Sequence, residues 1–208
     1  MTHLLHNGLD VIHEPGFIEP EWALQLLEAL KTEAVWHRPE MKIYGKTVHT
    51  RRQVAWHADK GYVYKYSGQE HQWKDWTPAM LELRVAVEER MGMQFNGVLL
   101  NMYADGSEYV SPHSDDEDDL EDGSPVVCVS LGAKRDFVFK MREQTPDQEI
   151  LRQYTKFTVP LASGDLVIMQ GDTQKVATHS IPKRTGVTEP RISLTFRKMT
   201  RKSHEQPR

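Results

Sequence analysis

Three features of the sequence predict a mainly β chain of the α+β kind, in which two N-terminal helices brace an all-β core in the C-terminal half. Two stretches before residue 92 carry apolar side chains at helical spacing behind a proline start. From residue 95 the texture changes to short segments rich in Val, Ile, Thr and Phe, and turn-forming residues separate them.

The first helix is expected over 20–32. Pro20 fits a first helical turn, and Trp22, Leu26 and Ala29, with Ala23, Leu27 and Leu30, recur at spacings of three and four. The second is expected over 78–91: Thr77 is an N-cap before Pro78, the periodic stretch runs through Leu81, Val85 and Glu88-Glu89, and Gly92 stops it. Between the helices, residues 36–76 are rich in Tyr, Trp, His and Arg without a long apolar run, which predicts short strands and exposed loops. Strands are expected at Val98–Tyr103, Val126–Leu131, Phe137–Met141, Lys156–Val159, Leu166–Gln170 and Ile192–Arg197. Many short strands so spaced imply a sandwich or jelly roll. No internal repeat or low-complexity linker interrupts them.

Composition excludes several classes. With 208 residues, 38% hydrophobic, the chain is neither disordered nor fibrous, and its length suits one domain. Its longest apolar runs, such as Val126–Val129 and Leu166–Met169, fall far short of the roughly 20 residues that cross a bilayer, so no membrane span is expected. Residues Met1–Asp10 are polar where a secretory signal is apolar, which predicts an intracellular protein, of cytoplasm or nucleus. The lone cysteine, Cys128, excludes an intrachain disulfide and reads as a small buried hydrophobe.

A formal net charge of -4 argues against a nucleic-acid partner until the charges are placed. Nine acidic residues and no basic one lie between Asp105 and Asp122, whereas Arg38–Arg52 holds five basic against one acidic, and Ile181–Arg208 eight against two. Two cationic segments and one anionic segment are hidden in the sum.

The last strand carries the first chemical signal. Side chains alternate, so Ile192, Leu194 and Phe196 share an apolar face while Arg191, Ser193, Thr195 and Arg197 share a cationic one. By itself this is equally an amphipathic strand with solvated arginines. The same i, i+2 spacing pairs Asn101 with Tyr103 and His113 with Asp115. An imidazole and a carboxylate facing one way can share a metal, and the distant His179 completes a two-His, one-carboxylate face suited to non-heme Fe(II). Such a motif alone is weak among ten histidines, of which His3, His6, His13, His71 and His204 read as solvated.

Taken together, Asn101-Met102-Tyr103-Ala104-Asp105-Gly106, His113-Ser114-Asp115-Asp116-Glu117, Val129-Ser130-Leu131-Gly132-Ala133, His179 and Pro190-Arg191-Ile192-Ser193-Leu194-Thr195-Phe196-Arg197 resemble the AlkB family of Fe(II)/2-oxoglutarate dioxygenases, in the family's order and over about half of the chain. The resemblance implies a double-stranded β-helix, with helices and a nucleotide-recognition hairpin and lid in 1–94 and the catalytic jelly roll in 95–200. It implies that His113, Asp115 and His179 ligate Fe(II), and that Arg191 holds the distal carboxylate of 2-oxoglutarate. Asn101 and Tyr103 would hydrogen-bond this co-substrate, Thr195 would line its site, and Arg197 would reach the end near the metal and pair with the acidic loop. The implied reaction consumes O2 and 2-oxoglutarate, yields succinate, and removes N-methyl groups from bases as formaldehyde. The reactivity belongs to the cofactor and the placement to the protein.

Substrate preference is read from residues 36–76. Met41-Lys42-Ile43-Tyr44-Gly45-Lys46 is similar to the hairpin of the duplex-DNA repair branch, with Tyr44 in place of the usual phenylalanine finger. A wedge of this kind offsets part of the cost of unstacking a base. The segment Tyr62-Val63-Tyr64-Lys65-Tyr66-Ser67-Gly68 resembles the family's lid, which implies that Tyr66 stacks on the flipped base, Tyr64 approaches its sugar or phosphate, and Ser67 contacts the base. A structural aromatic strand is the alternative. Arg52 aligns with a family arginine near that base, and Glu117 with the residue that meets its exocyclic nitrogen. Asp116, Asp118, Asp119, Glu121 and Asp122 read as a solvated loop. Lys42, Lys46, Arg51, Arg52, Lys198, Arg201 and Lys202 are the candidates for phosphate contacts. The expected function is repair of 1-methyladenine and 3-methylcytosine in DNA by a monomer. RNA as the substrate, or a non-catalytic module that binds methylated nucleic acid, are the alternatives.

Overall fold

Period-two alternation makes each C-terminal strand two-faced, and the computed structural model covers both faces. It describes residues 1–43, 46–66, 69–142 and 156–200, with the backbone alone at 41–43, 46–48, 66 and 69. The chain opens with β1 (Thr2–His6), β2 (Leu9–Glu14) and α1 (Pro20–Glu33). The short strands β3 (Glu40–Ile43), β4 (Lys46–His49), β5 (Gln53–Ala58), β6 (Tyr64–Tyr66) and β7 (Gln69–His71) lead to α2 (Pro78–Met91). Then come β8 (Gly97–Tyr103), β9 (Val110–His113), β10 (Val126–Gly132), β11 (Arg135–Met141), β12 (Lys156–Leu161) and β13 (Leu166–Gly171). A single turn, α3 (Thr173–Val176), precedes β14 (Ala177–Ile181) and β15 (Arg191–Arg197).

The strands form a seven-stranded antiparallel sheet in the order β1-β2-β13-β10-β15-β8-β5 and a four-stranded one in the order β12-β11-β14-β9, with β3-β4 and β6-β7 as separate ribbons. Two facing sheets with these crossovers are the jelly roll expected from the strand spacing. On the outer face of the large sheet, Val98, Leu100, Val127, Val129, Ile192, Leu194 and Phe196 pack with Leu26, Leu27 and Leu30 of α1 and Met80, Leu83 and Val87 of α2. On the inner face, Val126, Cys128, Val167 and Met169 meet Phe137, Phe139, Leu161 and Ile181. Cys128 is buried, as expected.

Both helices fall where the sequence places them. Thr77 caps α2 by accepting the Met80 N–H, and Gly92 ends it in the left-handed region at φ 64. The buried stripe of α2 differs from expectation: it is Ala79, Met80, Leu83 and Val87, while Leu81 and Val85 are 45% and 55% exposed. Two apolar positions at i, i+4 do not say which side of a helix faces the sheet.

Residue 95 does not mark the start of the β-structure. The large sheet draws β1, β2 and β5 from before it, and β5, in the stretch where short strands and exposed loops were expected, is almost wholly buried. His13, expected in solvent, is buried with its Nε2 2.9 Å from Asp165 Oδ2. At the far edge, Gly97 has no side chain because the Trp56 ring lies there: an added Cβ would stand 2.3 Å from Trp56 Cη2. Among the described residues, no helix is long and apolar enough to cross a membrane.

Two outcomes follow. Leu194→Ala, fully inside the core, is expected to cost about 2–5 kcal/mol, and Val85→Ala within about 0.5 kcal/mol of nothing, both read by urea unfolding. His57 is 1% exposed; its Nδ1–H donates to the Asp75 carbonyl at 2.7 Å and its Nε2 accepts the Val35 N–H at 3.4 Å. Burial lowers its pKa below 6.5 against the raising effect of the Asp75 bond, so its contribution is complete above pH 6.5 and is lost as the pH falls. The stability gap between wild type and His57→Asn should therefore narrow from pH 7 to pH 5; a constant gap contradicts this.

Candidate active site

The cationic face of β15 turns inward. Its register against β8 sets Arg191 opposite Tyr103, Ser193 opposite Asn101, Thr195 opposite Leu99 and Arg197 opposite Gly97. From the facing sheet, β14 sets His179 opposite His113 on β9. Between the sheets lies a cavity of about 240 Å³ whose walls include Arg52, Tyr64, Asn101, Tyr103, His113, Asp115, Glu117, His179, Arg191, Thr195 and Arg197. Every predicted site residue whose side chain is described lines this one space.

His113, Asp115 and His179 offer ligand atoms that all lie within 4.8 Å of one another. The His113 Nδ1–H donates to the Ser111 carbonyl at 2.8 Å, which leaves Nε2 as the lone-pair nitrogen. Asp115 Oδ2 lies 3.7 Å from His179 Nε2, while Oδ1 accepts from Arg197 Nη2 at 2.6 Å. Burial opposes the Asp115 charge, but the Arg197 guanidinium beside it holds its carboxyl below the usual carboxylate range. His179 is pushed down to about 3, chiefly by burial, so its imidazole is neutral at neutral pH. Two imidazoles and a carboxylate are the donor set a divalent iron takes.

Arg197 is the hub of this end. Its Nη1 donates to Glu117 Oε1 at 3.1 Å, and its Cζ lies 5.0 Å from the centre of the Tyr64 ring. The Tyr64 hydroxyl also donates to Glu117 Oε1, at 2.7 Å, and burial pushes its pKa far up, so the proton stays on the phenol. Tyr64 is 3% exposed and stacks on Trp56 at 4.9 Å. It forms a wall of the cavity under Glu117, where the lid resemblance implies a sugar or phosphate contact. Glu117 Oε2 is buried without a partner among the described residues.

The opposite end is built for an anion. Arg191, 1% exposed, donates from Nε to Ser130 Oγ at 3.0 Å, and its Nη1 is buried without a partner among the described residues. Asn101 Oδ1 accepts from Arg52 Nε at 2.6 Å, which turns the Asn101 amide donors away from Arg52. Arg52 is 7% exposed, so it belongs to the cavity wall and not to a surface phosphate contact. A guanidinium with a free donor beside Asn101, Tyr103 and Thr195 fits a carboxylate that needs a planar two-point partner. The residues present therefore fit both an iron and a dicarboxylate co-substrate.

Other expectations divide. Asp116, Asp118, Glu121 and Asp122 are exposed as read, but Asp119 is buried, its carbonyl accepting the Thr200 N–H at 2.9 Å. Arg51 is exposed, and Lys198 faces Glu121 at 3.6 Å. Tyr44, Ser67, Arg201 and Lys202 lie outside the described residues, and at Lys42, Lys46 and Tyr66 only the backbone is described. Sequence reasoning missed Arg135, 1% exposed, which donates to the Asp105, Glu108 and Pro182 carbonyls beside the Tyr103 ring. It also missed Ser130 under Arg191, although a polar residue in Val127–Leu131 was a readable signal.

A jelly roll with a two-His, one-carboxylate face opening on a cationic pocket defines a non-heme iron oxygenase. The model of the 2OG-Fe(II) oxygenase superfamily matches residues 10–197. The human DNA oxidative demethylase ALKBH2 is 34% identical over 200 residues, covering 95% of this chain and 76% of its own. The mouse protein of that name is 37% identical over 95% of this chain and 83% of its own. The human alpha-ketoglutarate-dependent dioxygenase alkB homolog 3 is 34% identical over 88% of this chain and 64% of its own. The structure of OsALKBH1 superposes with a TM-score of 0.65 at 16% identity, covering 94% of this chain and all of that one, which shows the shared fold. The chain belongs to the 2OG-Fe(II) oxygenase superfamily and, with these relatives, to its AlkB family. Fe(II), 2-oxoglutarate and dioxygen are accordingly its cofactor and co-substrates.

The free donor of Arg191 makes a prediction. Arg191→Met should raise the KM for 2-oxoglutarate by about 10- to 100-fold, the value of a charged hydrogen bond, with a smaller change in kcat. An unchanged KM removes Arg191 from the co-substrate site.

Proposed function

We propose that this protein removes methyl groups from N-alkylated bases in DNA, 1-methyladenine and 3-methylcytosine first among them, by oxidative demethylation. The observation that carries the reading is Glu117 Oε2, a buried acceptor without a partner among the described residues, in the same cavity as the His113, Asp115 and His179 face. A carboxylate there suits a ligand that brings an amino N–H and a positive charge, and both lesions bring both. Relatives named DNA oxidative demethylases, aligned over 95% of the chain, support DNA as the source of that base.

When bound, Fe(II) with 2-oxoglutarate and dioxygen supplies the oxidising power to hydroxylate an N-methyl group, with succinate, CO2 and formaldehyde as products. The chain's part is placement. His113, Asp115 and His179 would hold the metal, and Arg191, with Asn101, Tyr103 and Thr195, would hold the co-substrate at the far end. Arg197 keeps Asp115 ionised and Glu117 turned into the cavity. The Tyr64 hydroxyl keeps its proton on the Glu117 side and leaves Oε2 to accept from the base. Tyr66, Ser67 and the Tyr44 finger enter the proposal from the sequence alone.

The test is turnover of the iron-loaded protein on matched oligonucleotides carrying 1-methyladenine in single-stranded DNA, duplex DNA and RNA. Formaldehyde, succinate and restored adenine in equal amounts are expected on DNA, and Glu117→Ala should lose most of that rate while still binding 2-oxoglutarate. No turnover on either DNA substrate overturns the reading, and faster turnover on RNA replaces its substrate.

A further inference from the structure

Asp115 is restrained twice, and neither the triad nor the co-substrate cradle accounts for the second restraint. Its side chain is held by Arg197, but its main-chain N–H donates to Gln174 Oε1 at 3.0 Å. Gln174 Nε2 in turn lies 3.5 Å from Met169 Sδ, so the amide has its oxygen toward Asp115 and its NH2 toward the thioether.

Gln174 stands on a fixed base. It belongs to α3, whose neighbouring Thr173 is 2% exposed and locked into β2: Thr173 Oγ1 accepts the Asp10 N–H at 2.8 Å and lies 2.7 Å from the Gln170 carbonyl. A companion tie runs beside it, since Ser114 Oγ donates to the Ala177 carbonyl at 2.9 Å. The segment that carries His113 and Asp115 is thus stitched to the segment that carries His179 at two successive residues. This matters because Asp115 lies beyond the end of β9, where no strand ladder fixes its backbone. Rotation of that peptide would swing Oδ2 away from His179 even with Oδ1 still on Arg197.

We propose that Gln174 is a positioning residue of the metal centre: through the Asp115 main chain it holds the carboxylate in line with the two imidazoles and so sets the affinity for Fe(II). The proposal rests on the triad being that centre. Hydrogen-bond partners of metal ligands typically govern affinity by 10- to 100-fold.

The experiment is anaerobic titration of Fe(II) into the full chain against a chromophoric chelator, with thermal unfolding of each metal-free protein alongside. Gln174→Met keeps the length and removes the acceptor, and should weaken Fe(II) binding by about 10- to 100-fold with little change in unfolding temperature. Gln174→Glu keeps an acceptor and should keep tight binding. If Gln174→Met does not fold, Gln174→Ala carries the same test. Wild-type affinity in the acceptor-less variant overturns the proposal, and so does a Gln174→Glu protein as weak as Gln174→Met. A folded wild-type chain that binds no Fe(II) overturns the metal centre itself, and the proposal with it.

Discussion

A carboxylate as deeply buried as Asp115 needs a counter-charge, because moving an ion from water into protein costs several kcal/mol even after relaxation. Arg197 supplies it. One 2%-exposed guanidinium spans Asp115 and Glu117 and lies over the Tyr64 ring, so two carboxylates and the aromatic wall all refer to the same group. The acidic segment folds over the last strand because that strand presents a cation there, and the backbone pairing of Glu121 with Lys198 and of Thr200 with Asp119 fastens it. The net charge of -4 conceals this meeting of an anionic segment with a cationic strand.

The sheet fixes where these charges stand. Arg197 pairs with Gly97, whose missing side chain admits the Trp56 ring, and Trp56 backs Tyr64. Six residues up the same strand face, Arg191 stands beside Ser130 with one donor unmet among the described residues. Among the described residues the cavity consequently has complementary unmet valences: a donor from a cation at one end and an acceptor from a carboxylate at the other. A dicarboxylate suits the first and a cationic amino-bearing base the second.

Much of this was legible because period-two alternation is a strong constraint. The faces of β15 and β8 followed directly from it, and the His113, Asp115 and His179 assignment drew on the resemblance as well. The N-terminal hairpin was legible and overlooked. Asn7-Gly8, both at positive φ between His6 and Leu9, is the pair that favours a two-residue turn, and it was hidden in a segment read only for its polarity. Other features have no local signal. Burial of His13 depends on Asp165, far along the chain, and the buried face of α2 depends on the sheet beneath it. Tyr64 and Tyr66 look equivalent in sequence, yet Tyr64 is committed to Glu117 by a contact between distant segments. Gln174 is one glutamine among several until the fold brings its amide to Asp115.

The central claim is that one cavity holds iron at its Arg197 end and a dicarboxylate at its Arg191 end. A crystal structure of the protein grown anaerobically with Fe(II) and 2-oxoglutarate, with anomalous scattering at the iron edge, tests it most directly. The account predicts a single iron peak ligated by His113, Asp115 and His179, with the distal carboxylate on Arg191 Nη1. Iron bound elsewhere, or a carboxylate seated on Arg52 with Arg191 untouched, would contradict it.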